Sequence, residues 1–385
     1  MHRPDASLPR YISRPMLHSS LPAPTWDASR IAGLVTALLA LAGCPKPRAP
    51  VPSLRLEPTS DTLLAPYGEI TDATWIGAGR WVVIAPQDRA VSVADFQRST
   101  LTRFGGRQSG ELEQPFHLFR SGDSLYIADW FRRRLTRWSL NGVLGGAYPA
   151  LDAFRGALPR ARDGAGAWYL EIRPAPGHDG RGNLDSGMVV RTRADFSGAD
   201  TVARLAPFDL AEVVSAGSHR LERRLLSGQD RWGVVADGSV WVTRVTENRV
   251  DWRAAAGQVT RGAPLPDRVL PVTQNDRDLF LNRFDSGLRP TVSEIPFVAI
   301  KPPFDAVVVA PAGQLWLVKS RAVGDTLRNY QVIDRGGLLT NQATHPGHGR
   351  ILALGDGYAL VGEPFSGGVR LLLYRLQTET GAGGH

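Results

Sequence analysis

The residues of this chain that could do chemistry are scattered, not grouped. His345-Pro346-Gly347-His348 is a close histidine pair in a turn-forming context, but no carboxylate or third imidazole stands beside it to approach the four ligands of a zinc site. His178-Asp179, Asn183 and Asp185 offer oxygen ligands at loose spacing, without the register of a calcium loop. Gly-x-Ser-x-Gly, His-Glu-x-x-His and a glycine-rich loop ending in Gly-Lys-Ser/Thr are all missing. The Gly-x-Gly pairs at Gly77/Gly79, Gly164/Gly166 and Gly355/Gly357 precede apolar, strand-like runs, so they lack the helix N-terminus that binds a phosphate.

The elements that would have to position any site repeat along the chain. A glycine turn followed by an apolar run recurs at Gly79 (RWVVI), Gly122 (DSLYI), Gly166 (AWYL), Gly238 (SVWV), Gly313 (QLWLV) and Gly357 (YALV). Each run leads through a polar turn into a second segment of period-2 alternation, such as AVSVADF, RLTRWSLNG or GVRLLLYRLQ. Alternation of that period marks strands with one buried face. The six glycines are spaced by 43, 44, 72, 75 and 44 residues, and a period of about 40–50 residues suits one four-stranded propeller blade. The expectation is an all-β, six-bladed β-propeller with four-stranded antiparallel blades spanning 53–377. Its last repeat is one strand short, and Ser53-Leu54-Arg55-Leu56-Glu57 could supply that strand and latch the ring. Insertions fall at Pro174 to Gly187, Pro207 to Asp230 and Pro264 to Pro303. The last carries one short helix from Gln274 to Phe284, capped by Thr273 with Asp276 three residues on.

Gly105-Gly106, Glu111-Leu112-Glu113-Gln114-Pro115, Leu125-Tyr126-Ile127-Ala128-Asp129, Arg134-Leu135 and Gly142 resemble an NHL repeat, with Arg132 where that family prefers asparagine. Over 53–377 the chain resembles the secreted six-bladed propeller lipoproteins of bacteria, a group with no agreed activity. Gluconolactonase-like hydrolases are also propellers and hold a metal in the central channel. That resemblance implies, as the alternative to a binding role, a metal-dependent hydrolase or lyase using Asp129, Glu171 and Glu363, with a divalent ion such as calcium as its cofactor; otherwise these carboxylates bond neighbouring backbone groups or face solvent.

Residues 1–43 read as an export signal with an extended N-terminal region. Ile31 to Leu41 is an uncharged run of eleven residues, the length of a secretory apolar core and too short to span a bilayer. Leu41-Ala42-Gly43-Cys44 resembles the cleavage box of bacterial lipoproteins, which implies a lipid on the Cys44 sulfur. Cys44 is the sole cysteine, so no disulfide framework competes for it. Four prolines within residues 45–52 make 44–52 a semi-rigid tether, and 378–385 reads as a flexible tail.

Arginine supplies 42 of the 45 basic residues and the net charge is +8. No basic stripe or nucleic-acid motif accompanies that charge, which argues against nucleic acid as a partner. In a propeller the loops joining second and third strands open on the same face as the connectors between blades. Trp130-Phe131-Arg132-Arg133, Arg107, Arg181, Arg220 and Arg223-Arg224 fall at such places. Loops on a rigid scaffold carry recognition residues, and Trp and Arg are enriched at binding hot spots. The expected function is that of a binding or scaffold module. Such a module is expected to be a monomer with no cofactor, exported and lipid-anchored in the cell envelope, at the outer membrane facing the periplasm. It contacts a protein or glycan partner through Arg107, Trp130, Arg132, Arg133 and Arg181.

Overall fold

The computed structural model describes residues 50–106, 110–173, 186–215 and 218–378. The chain is all-β with a propeller-like arrangement of sheets. A long first strand, β1 (Ser53–Ala65), precedes two four-stranded antiparallel sheets. These are β2 (Asp72–Gly77), β3 (Arg80–Ala85), β4 (Ala90–Asp95), β5 (Thr100–Gly106), and β6 (Pro115–Ser121), β7 (Ser124–Asp129), β8 (Arg134–Ser139), β9 (Leu144–Pro149). A third follows as β10 (Pro159–Arg162), β11 (Trp168–Ile172), β12 (Met188–Thr192) and β13 (Ala199–Arg204). The hairpin β14 (Leu210–Ser215) and β15 (Ser218–Arg223) separates it from a fourth, β16 (Arg231–Val234), β17 (Val240–Arg244), β18 (Arg249–Arg253) and β19 (Val259–Arg261).

The remaining strands are β20 (Phe304–Val309), β21 (Leu315–Lys319), β22 (Leu327–Ile333), β23 (Leu339–Pro346), β24 (Arg350–Gly355), β25 (Tyr358–Phe365) and β26 (Gly368–Thr378). They differ from the expected separate four-stranded units, because all seven join β1 in one eight-stranded sheet, ordered β20-β21-β22-β23-β1-β26-β25-β24. The physical reason is the first strand itself. Leu54 to Ala65 pairs antiparallel with β26, while Ser53 and Leu54 also pair in parallel with Gln342 and Ala343 of β23. The segment expected to complete the last repeat therefore also stitches that repeat to the one before.

Turn chemistry and core explain the arrangement. All six turn glycines adopt positive φ, from 58° at Gly122 to 88° at Gly166, a region that L side chains rarely enter. The core lies between sheets. Ile76, Val82, Val91, Leu118 and Ile127 join the first sheet to the second, and Tyr126, Leu135, Trp168 and Val190 join the second to the third. Tyr169 and Val189 meet Val240 and Val242, and Trp241 and Trp252 meet Phe304, Leu315 and Ile333. Trp316 and Tyr330 meet Ile351 and Val361, and Leu360 and Leu371 return to Trp81 and Val83. Each interface fills with large apolar side chains in van der Waals contact.

The insertion before β20 contains two helices where one was expected, α1 (Gln274–Leu281) and α2 (Arg289–Ser293). α1 starts with the expected capping box of Thr273 and Asp276 but stops before Phe284. Pro290, in the first turn of α2, restarts the helix there. This insertion packs on the hairpin, because Leu225 bridges Phe297 and Arg220 pairs with Glu294 at 3.0 Å. None of the helices among the described residues is long and apolar enough to cross a membrane.

Candidate functional site

The turn between β7 and β8 carries Trp130, Phe131, Arg132 and Arg133. Asp129, buried at its root, accepts the backbone N–H of Glu113 at 2.6 Å, Gln114 at 3.2 Å and Arg132 at 3.1 Å. Trp130 N–H donates to the Gln114 carbonyl at 3.0 Å, so the turn and the connector ahead of β6 are tied together. On this clamped base Trp130 is 59% and Phe131 71% exposed. Phe116 meets Trp130 edge to face, with ring centroids 6.1 Å apart. Arg132 and Arg133 are exposed beside them. The result is an aromatic rim flanked by two guanidinium groups, able to cover an apolar or sugar face while pairing with anions. Arg107 and Arg181 lie outside the described residues. Phe116 was missed in the sequence, where nothing marks Pro115 as the first residue of a strand.

The three carboxylates expected for a metal stand apart, in three sheets. Asp129 serves the backbone clamp. Glu171 accepts from Arg160 and, at 2.8 Å, from Trp232 Nε1. Glu363 pairs with Arg370 at 3.5 Å. Among the described residues no three His, Cys, Asp or Glu side chains group closely enough to hold an ion. The histidine pair also divides, with His345 buried against Tyr374 and His348 exposed. Burial pulls the His345 imidazole below its ordinary pKa and Arg328 adds to this, against the opposing charge of Glu363. Neither ring nitrogen of His345 has a hydrogen-bond partner among the described residues. The loose oxygen set at His178, Asp179, Asn183 and Asp185 lies outside the described residues.

A second constellation was not anticipated. The strands β2, β6, β10 and β16 each open a sheet, and β20 and β24 are the two edges of the eight-stranded sheet. β24 lies against β20 and β2, and β6 against β2 and β10, which in turn lies against β16. At or near the starts of these strands stand Asp72, His117, Arg160, Arg231, Asp305 and Arg350. They form a charged mouth. His117 links its two neighbours within it, with Nδ1 3.0 Å from Asp72 Oδ2 and Nε2 3.0 Å from the Arg160 carbonyl. Arg160 also lies 5.8 Å from the Trp232 ring centroid, and Arg350 donates to the Ile70 carbonyl at 2.5 Å. Aligning the repeats on the start of each first strand, not on its turn glycine, would have exposed this ring of charges.

No family model matches the chain, and no curated protein does. Among solved structures it is similar to a member of the DUF4221 family from Bacteroides vulgatus, with 7% identity over 86% of this chain and 98% of that one and a TM-score of 0.46. It is similar to a gluconolactonase from Xanthomonas campestris, at 16% identity over 86% and 99% of the two chains and a TM-score of 0.43. Virginiamycin B lyase from Staphylococcus aureus gives 10% identity over 84% and 99%, with a TM-score of 0.43. The fold assignment therefore rests on the strand pairing described above.

Proposed function

We propose that this chain is a six-bladed β-propeller, exported and lipid-anchored through Cys44, which binds a protein or glycan partner of the cell envelope as a monomer. The six-blade count is supported by six glycine turns at positive φ and six apolar interfaces between consecutive strand groups. On this reading the eight-stranded sheet is two blades sharing β1. The single observation that carries binding is the rim. Two large aromatic side chains are held in solvent by a turn whose backbone is fixed by a buried carboxylate, which lowers the entropy lost when a partner covers them.

The test is crosslinking in intact envelopes followed by recovery of the protein. Trp130→Ala, and separately the double change Arg132→Glu with Arg133→Glu, should abolish co-recovered partner, since a central Trp commonly contributes about 2 kcal/mol or more. Unchanged recovery in both variants would refute the reading. Mass spectrometry of the mature N-terminus checks the anchor, and an unmodified Cys44 would remove it.

A further inference from the structure

The charged mouth contains more positive charge than its own carboxylates neutralise. Asp305 is the acidic neighbour shared by Arg231 and Arg328. One of its oxygens already accepts the Ser320 hydroxyl at 2.6 Å. Near it stand Arg231 from β16 and Arg328 from β22, and Arg321, in the segment after β21, neighbours Arg328. None of these three guanidinium groups has an ion pair or side-chain hydrogen bond to another described residue. Arg328 Nε and Arg321 Nη1 are sealed from solvent without an acceptor. Buried donors are ordinarily satisfied, and those on a charged group most of all.

The neighbours make the imbalance worse. Burial disfavours the charge on Arg231, and Arg160 and Arg223 add repulsion that Glu171 and Asp305 only partly offset. Burial likewise disfavours the charge on Arg328, with Arg321 and Arg350 repelling it. Arg231 nevertheless keeps solvent contact, so the mouth is crowded by protein yet open to a ligand. A folded protein retains such desolvated, mutually repelling cations at a cost, and costs of this kind concentrate at binding sites.

We infer that the mouth is a binding site for a small, multiply charged oxyanion, carboxylate or phosphate, held by Arg231, Arg321 and Arg328 next to Asp305. Forked guanidinium groups match either oxyanion through paired hydrogen bonds. This site uses no rim residue, so its failure and that of the partner-binding reading are separable.

The experiment is calorimetry and thermal melting of the full chain with citrate, pyrophosphate and, at matched ionic strength, sodium chloride. Citrate or pyrophosphate should bind and raise the melting temperature above the chloride control. Arg231→Gln and Arg328→Gln should each weaken that binding roughly tenfold, as loss of a charge-assisted contact does. Arg328→Gln should melt at or above the parent when no anion is present, because a half-buried cation with an unpaired Nε is removed, and the exposed Arg231→Gln should melt like the parent. Trp130→Ala should bind the anions unchanged. Preference for citrate or for pyrophosphate identifies the source of the oxyanion. Melting shifts equal to those in chloride, or parent-like affinity in both arginine variants, would overturn the proposal. Arg231 is exposed and makes no side-chain hydrogen bond to a described residue, so its variant remains foldable and decisive if Arg328→Gln is not.

Discussion

The carboxylate of Asp129 and the backbone N–H of Arg132 lie 3.1 Å apart, and the same carboxylate holds Glu113 and Gln114 from the preceding connector. One buried side chain thus sets the geometry of the rim. Asp129→Ala should destabilise the fold by about 3 kcal/mol, because up to three backbone donors lose their acceptor. A urea midpoint shift of that size with unchanged metal content is expected. Loss of a bound ion with little change in stability would instead make Asp129 a ligand.

Leu63 of β1 is buried against Leu371 and Leu373 of the last strand. Leu63→Ala should cost about 2–4 kcal/mol, the usual range for a truncated core leucine. Leu64, on the opposite face and 60% exposed, should tolerate the same change within about 0.5 kcal/mol. Equal effects at the two positions would contradict the pairing of β1 on β26.

Stability should fall as pH drops below about 6.5, the ordinary histidine value. His345 is held neutral by burial, with Arg328 disfavouring its charge and Glu363 favouring it. The unfolded chain therefore takes up a proton that the folded chain resists, and stability declines between the unfolded and the lower folded pKa. Melting at pH 7.5 and 5.5 should show a smaller loss for His345→Leu than for the parent. A second loss should begin near pH 4, where Asp276 protonates in the unfolded chain first. Burial works against the ionised Asp276, but bonds from Lys301 and Thr273 outweigh it and hold its pKa down.

Gly337 sits at φ +75°, and a Cβ there would lie 2.6 Å from Gly262 Cα. Two backbones touch at this point between neighbouring sheets. Gly337→Ala combines left-handed strain with overpacking, so a loss of about 2 kcal/mol or more is expected in urea titration. A neutral result would mean the sheets can separate there without penalty.

Much of the scaffold was legible in the sequence because its signals are local. A glycine turn followed by an alternating strand reports its own geometry, so the six turns, the latch segment and the Thr273 cap could be placed from neighbouring residues alone. Non-local relationships were hidden. The bridge of Leu225 to Phe297, which unites two insertions far apart in the chain, has no sequence pattern. Asp129 can be read from the sequence as a metal ligand, a backbone acceptor or a solvated carboxylate, because the donors that it meets are invisible in a string of letters. The rim at Trp130 followed from topology, whereas the mouth at Arg231 and Arg328 required knowing which strands face one another. A second helix was missed because α2 contains Pro290 and only five residues, below the length at which periodicity is readable.

Thr59 donates to the carbonyl of Leu373 across 314 positions of sequence, because the first described strand is sealed by the last described one. During synthesis β1 must stay unpaired with β26 until nearly the whole polypeptide has emerged. For that interval it is an exposed β edge, open to pairing with other chains. Ring completion is thus a quality checkpoint: a product truncated near its C-terminus leaves this edge bare and should be removed by proteolysis before it accumulates.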